Sequence, residues 1–171
     1  MRFALSLLLA VVPAPVLAQN ITGGHKFEMS DGAANVIQEL RCASETSCIF
    51  SVASRTADKP WETLEKQTLR VTPLEDLREA SGALRYAVER KDVEVRHNRE
   101  YVEIMKQLRP ILQREPAIRK CWDLNYVQPT YLVACAVQQK GSGESSIFLF
   151  ATLMASCAEA FCRYIIFPMQ P

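Results

Sequence analysis

The sequence lacks the short motifs that mark common catalytic and nucleotide-binding sites. It contains no HExxH zinc motif, no GxSxG nucleophile motif, no Walker A loop and no GxGxxG dinucleotide motif. The stretch Gly141–Ser145 (GSGES) is similar to a nucleophile motif, but it lies between two apolar segments. A nucleophile elbow joins a strand to a helix, so we interpret this stretch as a hairpin loop. The sequence predicts no cofactor.

Histidine is scarce, and no two cysteines have the CxxC spacing of a zinc site. The two histidines are His25 and His97, and a zinc site would need one of them beside irregularly spaced cysteines, so we expect no metal. His97 lies in a charged stretch that is typical of a protein surface. A small envelope-directed hydrolase that uses His97 with a nearby carboxylate is the alternative to the interpretation given below.

Neither sign of charge is in excess, since 20 Lys and Arg residues face 19 Asp and Glu residues. We therefore expect no nucleic-acid partner. Charge is uneven along the chain: Glu28–Glu79 holds ten acids and six bases, whereas Arg85–Lys120 holds ten bases and six acids. The basic half is a hypothetical site for an acidic partner; the alternative is a solvated surface balanced by the first half.

The N-terminus has the pattern of a signal peptide. Arg2 precedes an apolar run, Phe3–Leu17, and Val16-Leu17-Ala18 is typical of a cleavage site before Gln19. An N-terminal membrane anchor is the alternative, but the run is short and two prolines interrupt it. The pattern predicts a periplasmic or secreted protein with no transmembrane segment after cleavage. We expect a signal peptide over 1–18, a mobile N-terminus over 19–29 and one domain over 30–171.

The mature chain contains six cysteines, and an even number in an exported chain favours disulfides. Although the sequence leaves the pairing open, we expect neighbours in sequence to pair: Cys42 with Cys48, Cys121 with Cys135, and Cys157 with Cys162. The last pair flanks a short turn between two predicted strands, which places its side chains opposite each other.

Three apolar segments near the C-terminus predict an antiparallel meander: Tyr131–Val137, Ile147–Met154 and Cys162–Phe167. In the first segment both alternating faces are apolar, which is typical of a strand that is covered on both sides; the alternative is a strand covered on one side with small residues on the other. An earlier segment, Cys48–Ser54, predicts a further strand.

Helices are predicted for most of the chain before the meander. Apolar residues from Ala33 to Leu40 recur at helical spacing, and Pro60–Leu69 suggests a second, short helix. The stretch Thr72–Glu75 (TPLE) matches a capping box and predicts a helix from Pro73 to about Lys91. Further helical stretches are Arg99–Leu112 and a turn from Pro116. The expected fold is α+β, with an antiparallel three- to four-stranded sheet covered by three to four helices.

These features favour an exported, disulfide-bonded module that binds another protein, such as an inhibitor, an immunity protein or an accessory protein of the envelope. The expected binding surface is exposed loop residues and aromatic anchors. The candidates are Lys140 and Glu144 in the loop Gln139–Ser146, together with Trp122, Asn125 and Tyr126 in the segment Trp122–Pro129. The alternative for Trp122 is a place in the core.

Overall fold

The computed structural model describes residues 20–30, 32–89, 99–126, 131–152 and 164–171, and only the backbone of 99–101. Strands dominate these ranges, and only two helices are found there. The elements are β1 Gly23–Ser30, β2 Ala34–Ser44, β3 Ser47–Thr56, β4 Glu62–Arg70, β5 Thr72–Pro73, α1 Arg78–Glu89, α2 Arg99–Leu112, β6 Ala117–Asp123, β7 Leu132–Gln138, β8 Ser145–Thr152 and β9 Tyr164–Pro168.

The described strands form two antiparallel meanders. Sheet A has the order β1-β2-β3-β4, and sheet B has the order β5-β6-β7-β8-β9. Both helices lie between β5 and β6 in the chain. Two clusters of buried residues show the layering: one joins the two sheets, and the other joins sheet B to the helices. Sheet B is therefore the middle layer of a sandwich made of sheet A, sheet B and helices.

Strand β7 shows why sheet B occupies the middle. Leu132, Ala134 and Ala136 belong to the cluster that faces sheet A, whereas Val133 and its alternate neighbours belong to the cluster that faces the helices. All these positions are buried. The prediction of a strand covered on both faces is confirmed. Each residue from Leu132 to Val137 has an apolar side chain, so both faces of the strand are stabilised by burial.

Sheet A has one apolar face, and this face packs against sheet B. The inner face of sheet A holds three large buried residues. Leu40 of β2 pairs directly with Phe50 of β3, and Phe27 lies on the neighbouring strand β1. Burying a side chain of this size contributes about 1.5–3 kcal/mol, which favours packing this face against sheet B. Charged residues such as Lys26 and Glu39, which pair directly, lie on the opposite face.

The two sheets are joined at both edges. On one side the chain passes from β4 to β5 through Val71, whose backbone N–H donates to the Thr46 carbonyl at 2.9 Å. On the other side Lys26 and Gln170 exchange two backbone hydrogen bonds of 2.7 Å, which connect β1 to the residues after β9. These bonds fix the position of sheet A on sheet B.

Two disulfides are present among the described residues. Cys42–Cys48 joins directly paired residues of β2 and β3, and Cys121–Cys135 joins directly paired residues of β6 and β7. Both predicted pairs are confirmed. The third predicted pair, Cys157–Cys162, lies outside the described residues, as does the predicted signal peptide.

The predicted α+β class is wrong, since two sheets replace one sheet covered by helices. The segment predicted as the first helix is β2, and the predicted helix over Pro60–Leu69 is β4. The residues after Pro116 form β6 instead of a helical turn. Part of the predicted mobile segment 19–29 is β1. Only α1 and α2 remain of the predicted helices; the Arg99–Leu112 prediction is confirmed with its bounds.

The capping box at Thr72–Glu75 is also wrong. Thr72 and Pro73 form β5, which pairs with Asp123 and Trp122 of β6. The Thr72 hydroxyl accepts a hydrogen bond of 2.6 Å from the Asn125 side chain. Helix α1 begins at Arg78, whose backbone N–H donates to the Asp76 carboxylate at 2.9 Å. Because Thr72 and Pro73 pair with β6, helix α1 is capped by Asp76 and not by Thr72.

Candidate functional site

The loop between β7 and β8, residues 139–144, holds two of the predicted binding residues. Lys140 and Glu144 are both exposed, as are the three residues between them. Two long strands of sheet B carry the loop, and Cys135 of β7 is held by a disulfide to β6. The structure therefore places Lys140 and Glu144 together on a projecting hairpin, as the sequence predicts.

Hydrogen bonds within the 139–144 loop hold its backbone in one shape. The Ser142 N–H donates to the Gln139 carbonyl at 3.0 Å, and the side-chain amide of Gln138 donates to the Ser142 carbonyl at 2.6 Å. The Glu144 N–H donates to the Ser142 hydroxyl at 3.1 Å. Gly141 has a φ of 79°, a left-handed conformation that glycine adopts without strain. The turn is thus closed by its own polar groups.

A second set of bonds ties the loop to the segment that follows α2. The Lys140 N–H donates to the Arg114 carbonyl at 3.1 Å, and the Arg114 guanidinium donates to the Gln139 side chain at 3.2 Å. The Lys140 ammonium lies 2.6 Å from the Glu115 carboxylate, with both side chains about 70% exposed. An exposed ion pair contributes only about 0–1 kcal/mol, so the backbone bonds make the more reliable anchor.

Trp122 is not part of this surface. Its side chain is 0% exposed and belongs to the cluster between the two sheets. The Lys120 ammonium lies 5.0 Å from the centroid of the Trp122 ring and also pairs with Glu45 at 3.1 Å. A residue that is buried in this way contributes to the core and is not accessible to a partner.

Asn125 and Tyr126 link the two sheets. The Asn125 side-chain amide donates to the Arg70 carbonyl at 2.8 Å, at the end of β4. The Tyr126 ring packs edge-on against Phe50 with 5.8 Å between centroids, and its hydroxyl donates to Glu65. Burial, and then the hydrogen bond and negative charge of Glu65, raise the pKa of Tyr126 to about 12. The structure therefore gives both residues a role in the fold.

The sequence did not predict a depression on the outer face of sheet A. It has a volume of about 640 Å³ and lies where small residues, among them Gly24, Ala43 and Ser47, leave space between the side chains. Arg41 at its rim is paired with Glu39 at 2.7 Å. Because this guanidinium is already neutralised by a carboxylate, the depression offers less charge than its arginine suggests.

His25 borders this depression, and its Nε2 lies 3.0 Å from the Ile21 carbonyl oxygen. The other histidine, His97, lies outside the described residues, so the hydrolase alternative stays a prediction. Among the described ranges, no group of three His, Cys, Asp or Glu residues is placed to hold a metal ion. Neither described helix combines the length and the apolar composition that a membrane crossing requires.

The predicted hairpin loop is present, because β7 and β8 pair directly on either side of residues 139–144. Comparison of the chain with protein-family models, with curated proteins and with solved structures finds no significant match in any of the three.

Proposed function

We propose that this protein is an exported module that binds another protein through the 139–144 loop. The observation that carries the proposal is that an exposed polar loop is held in one conformation by bonds within itself and to Arg114 and Glu115. A loop ordered before binding loses little conformational freedom when a partner docks, and affinity gains accordingly.

The attachment of the loop to strands β6 and β7 also supports this proposal. The Cys121–Cys135 disulfide joins the two strands whose ends carry the loop and the segment that anchors it. The Arg119 guanidinium, near the start of β6, donates to the Gln138 side chain at 2.7 Å. Disulfides persist in oxidising compartments, so the two disulfides are compatible with export. An inhibitor, an immunity protein or an accessory protein of the envelope remains the expected class.

Site-specific photo-crosslinking in the living host tests the proposal. A photoreactive phenylalanine analogue replaces Ser146, an exposed residue next to the loop, in one variant and Lys59, in the exposed turn between β3 and β4, in the control. Ser146 is chosen in place of Ser142 because Ser142 takes part in the hydrogen bonds that shape the loop. We expect a discrete protein adduct from position 146 and none from position 59.

An adduct from position 59 alone, or from neither position, would overturn the proposal. Near-UV circular dichroism of both variants checks that the fold is intact. Sequencing the N-terminus of the mature protein checks export, with Gln19 expected as the first residue. Mass spectrometry of the adduct then separates the classes: an enzyme that loses activity when the purified protein is added indicates an inhibitor or immunity protein.

A further inference from the structure

A cavity of about 210 Å³ lies where the start of α1 meets sheet B, and it has an apolar floor. Val133 and Phe150 of sheet B, Leu74 before the helix and Ala80 in its first turn line this floor. Since a water molecule takes up about 30 Å³, the cavity has room for roughly seven waters, or for a small organic group. We call it the α1 pocket.

Two tyrosines and two carboxylates complete the lining of the α1 pocket. Tyr131 is 39% exposed, and its backbone N–H is held by the Thr152 hydroxyl at 2.7 Å. Tyr164 is half-buried and donates its hydroxyl to the Glu79 carboxylate at 2.6 Å. Asp76 is the second carboxylate. Aromatic rings and carboxylates thus stand above an apolar floor.

The electrostatic surroundings of the pocket are negative. Asp76 is paired with the Arg78 guanidinium at 2.6 Å, which lowers the pKa of Asp76 to about 2, and this pairing means that Asp76 adds little net charge to the pocket. Glu79 accepts its hydrogen bond from the neutral hydroxyl of Tyr164, so that bond does not compensate its negative charge. Burial, and then the charges of Asp123 and Glu79, raise the pKa of Tyr131. A cation in the pocket would relieve this accumulation of negative charge.

We infer that the α1 pocket binds a primary alkylammonium group, such as the end of a lysine side chain or a small free amine. The alkyl chain would lie on the Val133 and Phe150 floor, and the ammonium would donate to Glu79. Tyr131 and Tyr164 would add the attraction between a cation and an aromatic ring. A neutral ligand of equal size would gain only the apolar contact.

The α1 pocket is independent of the 139–144 loop. Tyr131 precedes the first residue of β7, whereas the loop follows its last residue, so the two sites lie at opposite ends of that strand. The two sites share no lining residue.

Titration with n-butylammonium chloride, followed by ¹H–¹⁵N NMR spectra of the full mature protein, tests the inference. We expect shifts in the Glu79, Ala80 and Val133 amides and none in Gly141, with a dissociation constant of roughly 1–10 mM for so small a ligand. An equal concentration of n-butanol, which has the same chain without the charge, should bind much more weakly.

Two matched variants locate the cation. Glu79→Gln removes the charge at the pocket, whereas Glu89→Gln makes the same change at an exposed position at the end of α1. We expect Glu79→Gln to weaken n-butylammonium binding by at least about tenfold and Glu89→Gln to leave it unchanged. Tyr131→Leu should weaken binding several-fold because it removes the ring and keeps apolar bulk.

Equal binding of n-butanol, equal effects of the two glutamine variants, or no shift at about 100 mM ligand would each overturn the inference, because about a tenfold excess over the weakest expected dissociation constant would have been tested. A capped lysine amide distinguishes the sources of the group. If it binds as n-butylammonium does, the pocket accepts a lysine of another protein; if only n-butylammonium binds, the pocket accepts free amines.

Discussion

Tyr126 and Glu65 form a hydrogen bond between the segment that follows β6 and strand β4, which belongs to the other sheet. Gln67 donates to the same Glu65 carboxylate at 3.0 Å, and the Tyr126 ring covers Phe50. Polar side chains therefore lie on the inner face of sheet A at the end where Tyr126 approaches it. This contact links the two sheets and depends on a neutral tyrosine hydroxyl.

The protein should lose stability as the pH rises from about 10 to about 12, in part through Tyr126. Burial and the Glu65 carboxylate raise the pKa of Tyr126 to about 12 from an ordinary value of 10.0. A group whose pKa is raised by folding stabilises the fold fully below its unfolded pKa, and this contribution disappears as the pH passes the folded pKa. Absorbance at the tyrosinate wavelength should show Tyr126 ionising late.

Tyr126→Phe should flatten this alkaline loss of stability, measured by urea unfolding at several pH values. Tyr86→Phe is the control, because Tyr86 lies on α1, on the other side of sheet B. Glu65→Gln should lower the pKa of Tyr126 by removing the negative charge beside it. If the two phenylalanine variants unfold alike across the alkaline range, the hydrogen bond to Glu65 does not govern the effect.

The two tryptophans should report opposite environments. Trp122 is 0% exposed between the sheets, whereas Trp61 is 40% exposed with the Arg55 guanidinium 4.9 Å from its ring centroid. Trp61→Phe should leave blue-shifted emission that acrylamide quenches poorly, and Trp122→Phe should leave red-shifted emission that it quenches readily. Similar quenching in both variants would contradict the buried position of Trp122.

Truncation of the same two residues should separate core from surface. Trp122→Ala should lower the free energy of unfolding by about 3–5 kcal/mol, because it leaves a cavity between the sheets. Trp61→Ala removes an exposed contact between a cation and a ring, and it should cost about 0.5–1 kcal/mol. Urea unfolding of both variants measures the difference, and a comparable cost at the two sites would contradict the prediction.

The two disulfides should contribute unequally to the free energy of unfolding. Cys121–Cys135 closes a sequence separation of 14, and Cys42–Cys48 closes one of 6. The chain-entropy relation gives about 3 kcal/mol for the longer loop and about 2 kcal/mol for the shorter one. Urea unfolding of the two paired Cys→Ala variants should show the larger loss for Cys121 and Cys135. The reverse order would mean that contacts of the cysteines, and not loop length, determine the effect.

The sequence predicted sheet B better than sheet A, and the inward-facing residues explain the difference. In β7 the six positions before Gln138 are all apolar and buried, so an uninterrupted run indicated the strand. In β2 the inner face holds Val36, Gln38 and Leu40 in alternation, while Ile37 lies on the outer face. Gln38 interrupts the alternation and Ile37 completes an accidental helical spacing, which led to the wrong prediction.

The sequence failed to predict strand β4 for two reasons. The register between β3 and β4 shifts beside Val52 and Ala53, so the alternation of faces is broken at Leu64. Its inward positions Glu65 and Gln67 are polar because they serve the contact with Tyr126. Both features depend on residues far away in the chain, and no local pattern reports them.

Of the candidate site, the sequence predicted the loop but not which aromatic residues are exposed. Lys140 and Glu144 lie in a polar stretch between two strands, and such stretches are at the surface in most folds. Trp122 and Tyr126 are residue types that often anchor interfaces, yet Trp122 is buried between the sheets and Tyr126 is partly buried against Phe50 of sheet A. Only β3 of that sheet was predicted as a strand, and β1, β2 and β4 were predicted as a mobile segment or helices. The sequence therefore left open whether Trp122 lies in the core or at the surface.

The shape of the 139–144 loop should depend on one of its two glycines. Gly141 has a φ of 79°, whereas Gly143 has no positive φ, and the surroundings leave space for an added methyl group at both. Gly141→Ala must adopt a left-handed conformation and should cost about 1 kcal/mol or more. Gly143→Ala should be neutral or stabilising by about 0.4–1 kcal/mol, because it reduces the freedom of the unfolded chain.

These two alanine variants also connect loop order to the proposed binding. Both keep the charge and nearly the same size, so they differ mainly in whether the loop retains its turn. Introduced into the position-146 crosslinking protein, Gly141→Ala should reduce the adduct, and Gly143→Ala should leave it at full yield. Equal adducts from the two variants, with the stability difference present, would mean that the partner does not recognise the ordered turn. The hydrogen bond between Ser142 and Gln139 would then serve the fold alone.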